Sequence, residues 1–180
     1  VEDMISLKGE RFFEVYNGHP LVHNYGDSTR PGTEAMWDKI NIAYANRNQP
    51  LMLGLATDDS HNYHQFGLAF ANAGRGWVMV QAKNLDAESI IEAMEAGRFY
   101  ASTGVTLSKL LVEDNELTIQ IEAEEGVDYT IELIGLKAGA QDAEIIQTKS
   151  DTYLQTKISG DYVFARARIT STKIKMNPFQ

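Results

Sequence analysis

Asp59 and His61 are the residues of this 180-residue chain best suited to chemistry, because one residue separates them and they end the apolar run Leu51-Met-Leu-Gly-Leu-Ala56. An uncharged run of that kind reads as a strand buried on both faces, as in a parallel sheet covered by helices. In extended backbone, side chains two apart point the same way, so one cation could touch both the carboxylate and the imidazole. Metal ligands in parallel α/β folds gather at the carboxyl ends of strands, where this pair falls. The plainer reading is turn chemistry, since Asp-Asp-Ser ordinarily follows a strand. All four histidines, His19, His23, His61 and His64, fall within the first 64 residues of the chain and none beyond them, which favours the site.

Three further residues belong in the same argument. Glu14 sits between Phe13 and Val15 in a short strand, where an unpaired buried acid would cost several kcal/mol, so it needs a partner. That partner is either a metal or a ligating histidine on one reading, or a strand-end cation on the other. His19 precedes Pro20 in a loop, which extends its backbone and presents the ring outward. Arg75 is the cation placed to steady charge developing on a substrate, with a solvated loop arginine as its ordinary alternative. His23 and His64 read as solvated loop residues. The chemistry that this set suggests is Lewis-acid hydrolysis, in which a divalent ion lowers the pKa of a bound water that then attacks a phosphoryl or acyl centre. The ligands are too few for a closed multinuclear site.

Composition narrows the partners. A formal net charge of -9 and a pI near 4.9 repel phosphate backbones and anionic lipid, so neither nucleic acid nor membrane is expected as a partner. No apolar run approaches the length of a membrane-spanning helix, and no signal peptide is visible. The first residue is Val1, which reads as a processed or truncated start. A removed targeting segment would allow an extracytoplasmic location for a soluble protein. The absence of cysteine excludes disulfides, thiolate ligands and cysteine nucleophiles.

The pattern changes near Thr103-Gly104. Before it, Arg11–Tyr16 reads as a strand, Thr33 as the N-cap of a helix bearing Met36, Trp37, Ile40, Ala43 and Tyr44, and Gly76–Gln81 as another strand. Asp86 caps a second helix that Gly97 ends. After it, residues 117–123, 129–134 and 162–170 alternate apolar with polar, as antiparallel strands with one wet face do. The expected core there is Leu117, Ile119, Ile121, Ile131, Leu133, Val163 and Ile169.

Several ordered blocks carry a family resemblance: Phe-Glu-Val-Tyr-Asn-Gly-His-Pro at 13–20, Met-Trp-Asp at 36–38, and Gly-Leu-Ala-Thr-Asp-Asp-Ser-His at 54–61. Gly-Arg-Gly-Trp-Val-Met-Val at 74–80 and Glu-Ala-Gly-Arg-Phe-Tyr-Ala-Ser-Thr-Gly at 95–104 continue it. Over about residues 10 to 104 the chain resembles the PHP (polymerase and histidinol phosphatase) superfamily, and within it the carbaryl-hydrolase-like branch. The resemblance implies a distorted (β/α)₇ barrel with a two- or three-metal site that hydrolyses phosphoesters, or esters and amides in some members. Asp59 and His61 match the family's last metal-binding Asp-x-His, while Glu14, Asn17 and His19 match a block near the site, as ligands or as groups behind them. The family's opening His-x-His and its following acid and histidine ligands have no counterpart in this chain.

The expected architecture is therefore α/β followed by all-β: residues 1–104 as the C-terminal part of a PHP-like barrel and residues 105–180 as an antiparallel β-sandwich. The expected function is that of a metal-dependent, phosphoesterase-type hydrolase acting on a small molecule, with divalent Zn, Mn or Fe incompletely bound and this chain alone inactive or at most feebly active. Exposed barrel edges would allow homo-oligomers. The alternative is a non-catalytic β-sandwich interaction module with a vestigial barrel segment.

Overall fold

The computed structural model describes residues 1–174; residues 175–180 of the expected second domain lie outside them. The chain divides after Gly104 into two compact units, and each is taken by itself.

The first unit opens with a short helix, α1 (Glu2–Ser6), and strand β1 (Phe12–Asn17). Helix α2 (Thr33–Ala45) then carries the chain to strand β2 (Leu53–Thr57), which pairs with β1 in parallel. Ile40, Tyr44 and Met52 form the buried heart of this crossover, with Phe13, Trp37, Leu51, Met4 and Ile5 packed around it. Two polar side chains of α2 pin the entrance to β2. Asn41 accepts from the Met52 amide at 2.8 Å and donates to the Met52 carbonyl at 3.2 Å, while Trp37 Nε1 donates to that carbonyl at 2.8 Å. A sheet of two strands has no neighbour to satisfy those groups, and the helix does so instead. Gly54 permits the close approach, since a Cβ there would fall 2.9 Å from Val15 and 3.2 Å from the Trp37 ring.

Strand β3 (Trp77–Val80), helix α3 (Ala87–Glu95) and strand β4 (Phe99–Ser102) complete the unit, with β3 and β4 antiparallel. Asp86 caps α3 by accepting from the Ser89 amide at 2.7 Å, and Gly97 turns the chain out of it at φ +72°. The N-cap of α2 is Gly32 rather than Thr33. The Thr33 hydroxyl is used elsewhere, donating to the Val15 carbonyl at 2.6 Å.

This is not a (β/α)₇ barrel segment, and that expectation is corrected. Of the described residues 37% lie in strands and 16% in helices, and the sheets are small and unclosed. A barrel needs each new parallel strand to bond to the last. Here β2 ends its sheet, and β3 bonds to β4 in the opposite direction, so α3 joins antiparallel strands instead of making a second parallel crossover. The Leu51 run is correspondingly only half covered, with Met52 and Ala56 buried and Leu53 and Leu55 intermediate.

The second unit is all strand: β5 (Leu107–Glu113), β6 (Glu116–Ile121), β7 (Tyr129–Lys137), β8 (Glu144–Lys149), β9 (Tyr153–Lys157) and β10 (Tyr162–Ser171). They form two three-stranded antiparallel sheets, ordered β5-β6-β9 and β10-β7-β8. Asp114 and Asn115, both at positive φ, make the tight turn between β5 and β6. Leu117, Ile119, Ile121 and Leu154 from one sheet meet Tyr129, Ile131 and Leu133 from the other in a single apolar cluster. Ile169 is packed against it, but Val163 is 43% exposed. The register of β10 slips between Tyr162 and Phe164, leaving Val163 as an extra bulge residue outside the alternation.

Among the described residues no helix is long and apolar enough to cross a membrane.

Candidate functional site

A polar cluster forms where β1 and β2 end, and a bulge builds it. The parallel register slips between Glu14 and Tyr16, so Val15 is one residue too many for its partner strand. In regular strand, residues three apart face opposite ways. The extra residue reverses that parity and brings Glu14 and Asn17 together, with Asn17 Nδ2 donating to Glu14 Oε2 at 2.9 Å. The same amide donates to Asp59 Oδ2 at 3.2 Å, so Asn17 joins the two carboxylates. Thr57, opposite Asn17 in the register, donates its hydroxyl to the other Glu14 oxygen. Like charges that close would repel in apolar surroundings; here the amide protons lie between them and solvent reaches both.

Asn17 itself is buried and held on every side. Its backbone exchanges hydrogen bonds with the Asn24 side chain, at 2.9 Å and 2.8 Å, and its Oδ1 accepts from the His19 amide at 2.8 Å. Gly18 must be glycine, because a Cβ there would fall 2.7 Å from the Arg75 Cβ.

Asp59 and His61 do lie together, though not through extended backbone. Strand β2 stops at Thr57, and Asp59 takes the left-handed conformation at φ 49°, which aspartate tolerates better than most residues. His61 Nδ1 then lies 2.6 Å from the Asp59 carbonyl and 3.5 Å from its Oδ1. The His61 ring meets the His19 ring edge-on, with centroids 5.8 Å apart and planes at 86°. His19 Nδ1 accepts from the Leu21 amide at 3.2 Å. Glu14 takes its hydrogen bonds from Thr57 and Asn17, and no cation pairs with it among the described residues. His23 and His64 are exposed in loops.

Arg75 behaves differently from a substrate-facing cation. Its Nη1 donates to the Gly18 carbonyl and its Nη2 to the Gly67 carbonyl, each at 3.0 Å, so the guanidinium ties the loop after β1 to the loop after β2. Asp58 fixes its backbone by accepting from the amides of Arg75 and Gly76 at 2.6 Å and 2.8 Å. Arg75→Ala is expected to destabilise the first unit by about 2 kcal/mol, because two partly buried carbonyls lose a charged donor. Lysine at this position should restore little, since one ammonium cannot fork to both. Urea unfolding would show this, and an unchanged midpoint in the alanine variant would remove the clamp from the argument.

Four contributors were invisible to sequence reasoning: Thr57, Asn24, Asp58 and Asn72. Asn72 is fully buried and donates to the carbonyls of Asn62 and Gln65, both at 2.9 Å, while accepting from the Gly67 amide. It shapes the loop that presents His61, whose amide donates to the Ala71 carbonyl at 3.0 Å. The density of asparagine in these loops was the available signal, because buried asparagine usually replaces missing backbone partners.

Tyr16, beside this cluster, has a pKa raised above the usual phenol range, chiefly by burial, with Tyr25 and Asp58 adding to it and Arg75 opposing. A folded-state pKa above the unfolded one means that stability is intact below about pH 10 and declines as pH rises past it. Tyr16→Phe should lessen that alkaline loss, measured as the change in thermal midpoint between pH 9 and pH 11. An equal loss in both proteins would exclude Tyr16 as its source.

As a cation site, the cluster is incomplete. Among the described residues no three His, Asp or Glu side chains stand where one ion could take all of them. Asp59 and His61 suit a divalent ion as a carboxylate and an imidazole whose Nδ1 is already held, which is the arrangement that orients ligating histidines. Comparison with known proteins adds nothing to this geometry: no family model, no curated protein and no solved structure matches the chain.

Proposed function

We propose that this chain contributes Asp59 and His61 to the divalent-metal site of a hydrolase of the phosphoesterase type, akin to the PHP superfamily that its sequence blocks resemble. The observation that carries the reading is the His61 ring. Its Nδ1 is committed to the Asp59 backbone, and its Nε2 has no partner among the described residues. Two such ligands do not complete a coordination shell, so further ligands must come from outside this cluster. A bound divalent ion, Zn, Mn or Fe, would supply a water acidic enough to furnish hydroxide near neutral pH. Asn17 would hold the carboxylates of Asp59 and Glu14 in place, and Glu14 would accept hydrogen bonds from Thr57 and Asn17 rather than ligate. A small phosphoester is the substrate class proposed.

The test is turnover of an aryl phosphate with Mn²⁺ or Zn²⁺ added. Feeble, metal-dependent hydrolysis that vanishes in Asp59→Ala and in His61→Ala supports the reading. Metal-dependent hydrolysis undiminished in both variants would place the chemistry elsewhere.

A further inference from the structure

We infer that the two histidines of this cluster are held in opposite tautomers and divide the recognition between them: His61 offers an Nε2 lone pair to a cation, and His19 offers an Nε2–H to an oxygen of an anionic substrate. The inference rests on the metal-hydrolase reading for the identity of the ligands, but the tautomers follow from hydrogen bonding alone.

A neutral imidazole has one N–H and one lone pair, so whatever binds one nitrogen decides what the other can do. The atom facing His61 Nδ1 at 2.6 Å is the Asp59 carbonyl oxygen, which can only accept. His61 Nδ1 therefore carries the proton, and its Nε2 is a bare lone pair. The atom facing His19 Nδ1 at 3.2 Å is the Leu21 amide nitrogen, which can only donate. His19 Nδ1 therefore keeps its lone pair, and its Nε2 carries the proton. For His19 to ligate a metal through Nε2 it would have to move that proton and break its bond to Leu21.

The rings touch edge to face, so a donor and an acceptor of opposite character stand side by side at the ends of β1 and β2. An anion approaching a chain of net charge -9 needs local donors to bind at all. Arg75 is turned to another task, with one hydrogen bond from each Nη to Gly18 and Gly67 and its Nε buried. His19 can serve, and it belongs to the same loop that Arg75 secures. It is a substrate-binding donor, and neither a metal ligand nor a solvated loop residue.

Nitrogen-15 NMR of the whole chain at about pH 8, above the ordinary imidazole range near 6.5, reads the tautomers directly from long-range proton couplings. The expected spectrum shows His19 protonated at Nε2 and His61 at Nδ1. Zinc alone should then shift the His61 Nε2 signal and leave His19 in place, and inorganic phosphate added to the zinc-loaded chain should shift His19. His19→Ala should leave zinc affinity within about twofold while lowering phosphate affinity about tenfold, the worth of one charge-assisted hydrogen bond. His19→Gln, which keeps an N–H donor, should recover much of that loss. A His19 ring protonated at Nδ1, or a zinc affinity that falls tenfold or more in His19→Ala, overturns the assignment. Zinc that leaves His61 unmoved, with both tautomers as stated, would instead sink the metal-site reading and leave the division between the rings standing.

Discussion

Zinc or manganese affinity is expected to fall about hundredfold or more when His61 is replaced by alanine, and by a similar factor in Asp59→Ala. Loss of a group that merely orients a ligand typically costs 10–100-fold, and loss of a ligand itself costs at least as much. The effect should be severe here because the cluster offers so few ligands among the described residues. Asn17→Ala should weaken binding less, by about tenfold, since it frees the Asp59 and Glu14 carboxylates without removing either. His64→Ala, altering an exposed loop histidine, is the matched control and should change nothing. Competition against a chelating dye measures all four. Equal affinities in His61→Ala and His64→Ala would show that histidine content, rather than this geometry, attracts the metal.

Ile131→Ala should destabilise the second unit by about 4 kcal/mol, near the upper part of the range for a fully buried aliphatic side chain cut to alanine. Ile131 is completely buried in β7, the middle strand of its sheet between β8 and β10, and is packed in the cluster that both sheets share. For a unit of this size a loss of that order lowers the melting temperature by roughly 15–30 °C. Val163→Ala, which removes two methyl groups from the exposed bulge residue, should cost well under about 1 kcal/mol. Parallel calorimetric scans would decide it, and comparable losses in the two variants would mean that the core has been assigned to the wrong side of β10.

These two residues also show what could be read from the sequence. Alternation identified Ile131 because β7 is continuous there and its partners on both sides keep the register. It misplaced Val163 because a bulge is a property of two strands, and the sequence of one cannot announce it. The same limit explains the barrel. Asp86 and Gly97 mark the ends of α3 by local chemistry, and the spacing of Ile40 and Tyr44 marks the buried face of α2. Strand direction has no local signature, so nothing in Trp77–Val80 declares that it bonds antiparallel to Phe99–Ser102 rather than parallel to β2. The resemblance to a barrel family filled that gap with the wrong topology. At the site, residue types suggested Asp59, His61 and Glu14, but not how they meet. Asn17 between the acids, the left-handed Asp59 and the half-buried Arg75 clamp all depend on contacts made across dozens of residues.

The extra residue in β1 makes the cluster sensitive to chain length in a way that it is not sensitive to side-chain identity. Val15 lends the site no functional group; its contribution is to occupy a position, with its carbonyl anchored by the Thr33 hydroxyl. Exchanging it for another β-branched residue would leave Glu14 and Asn17 facing each other. Deleting it would straighten the strand, swing one of the pair to the far face and dismantle the link to Asp59, although every polar residue of the site would still be present. Among relatives of this chain, insertions and deletions between positions 14 and 17 would therefore separate those that keep the cluster from those that have lost it, even where the residues themselves align.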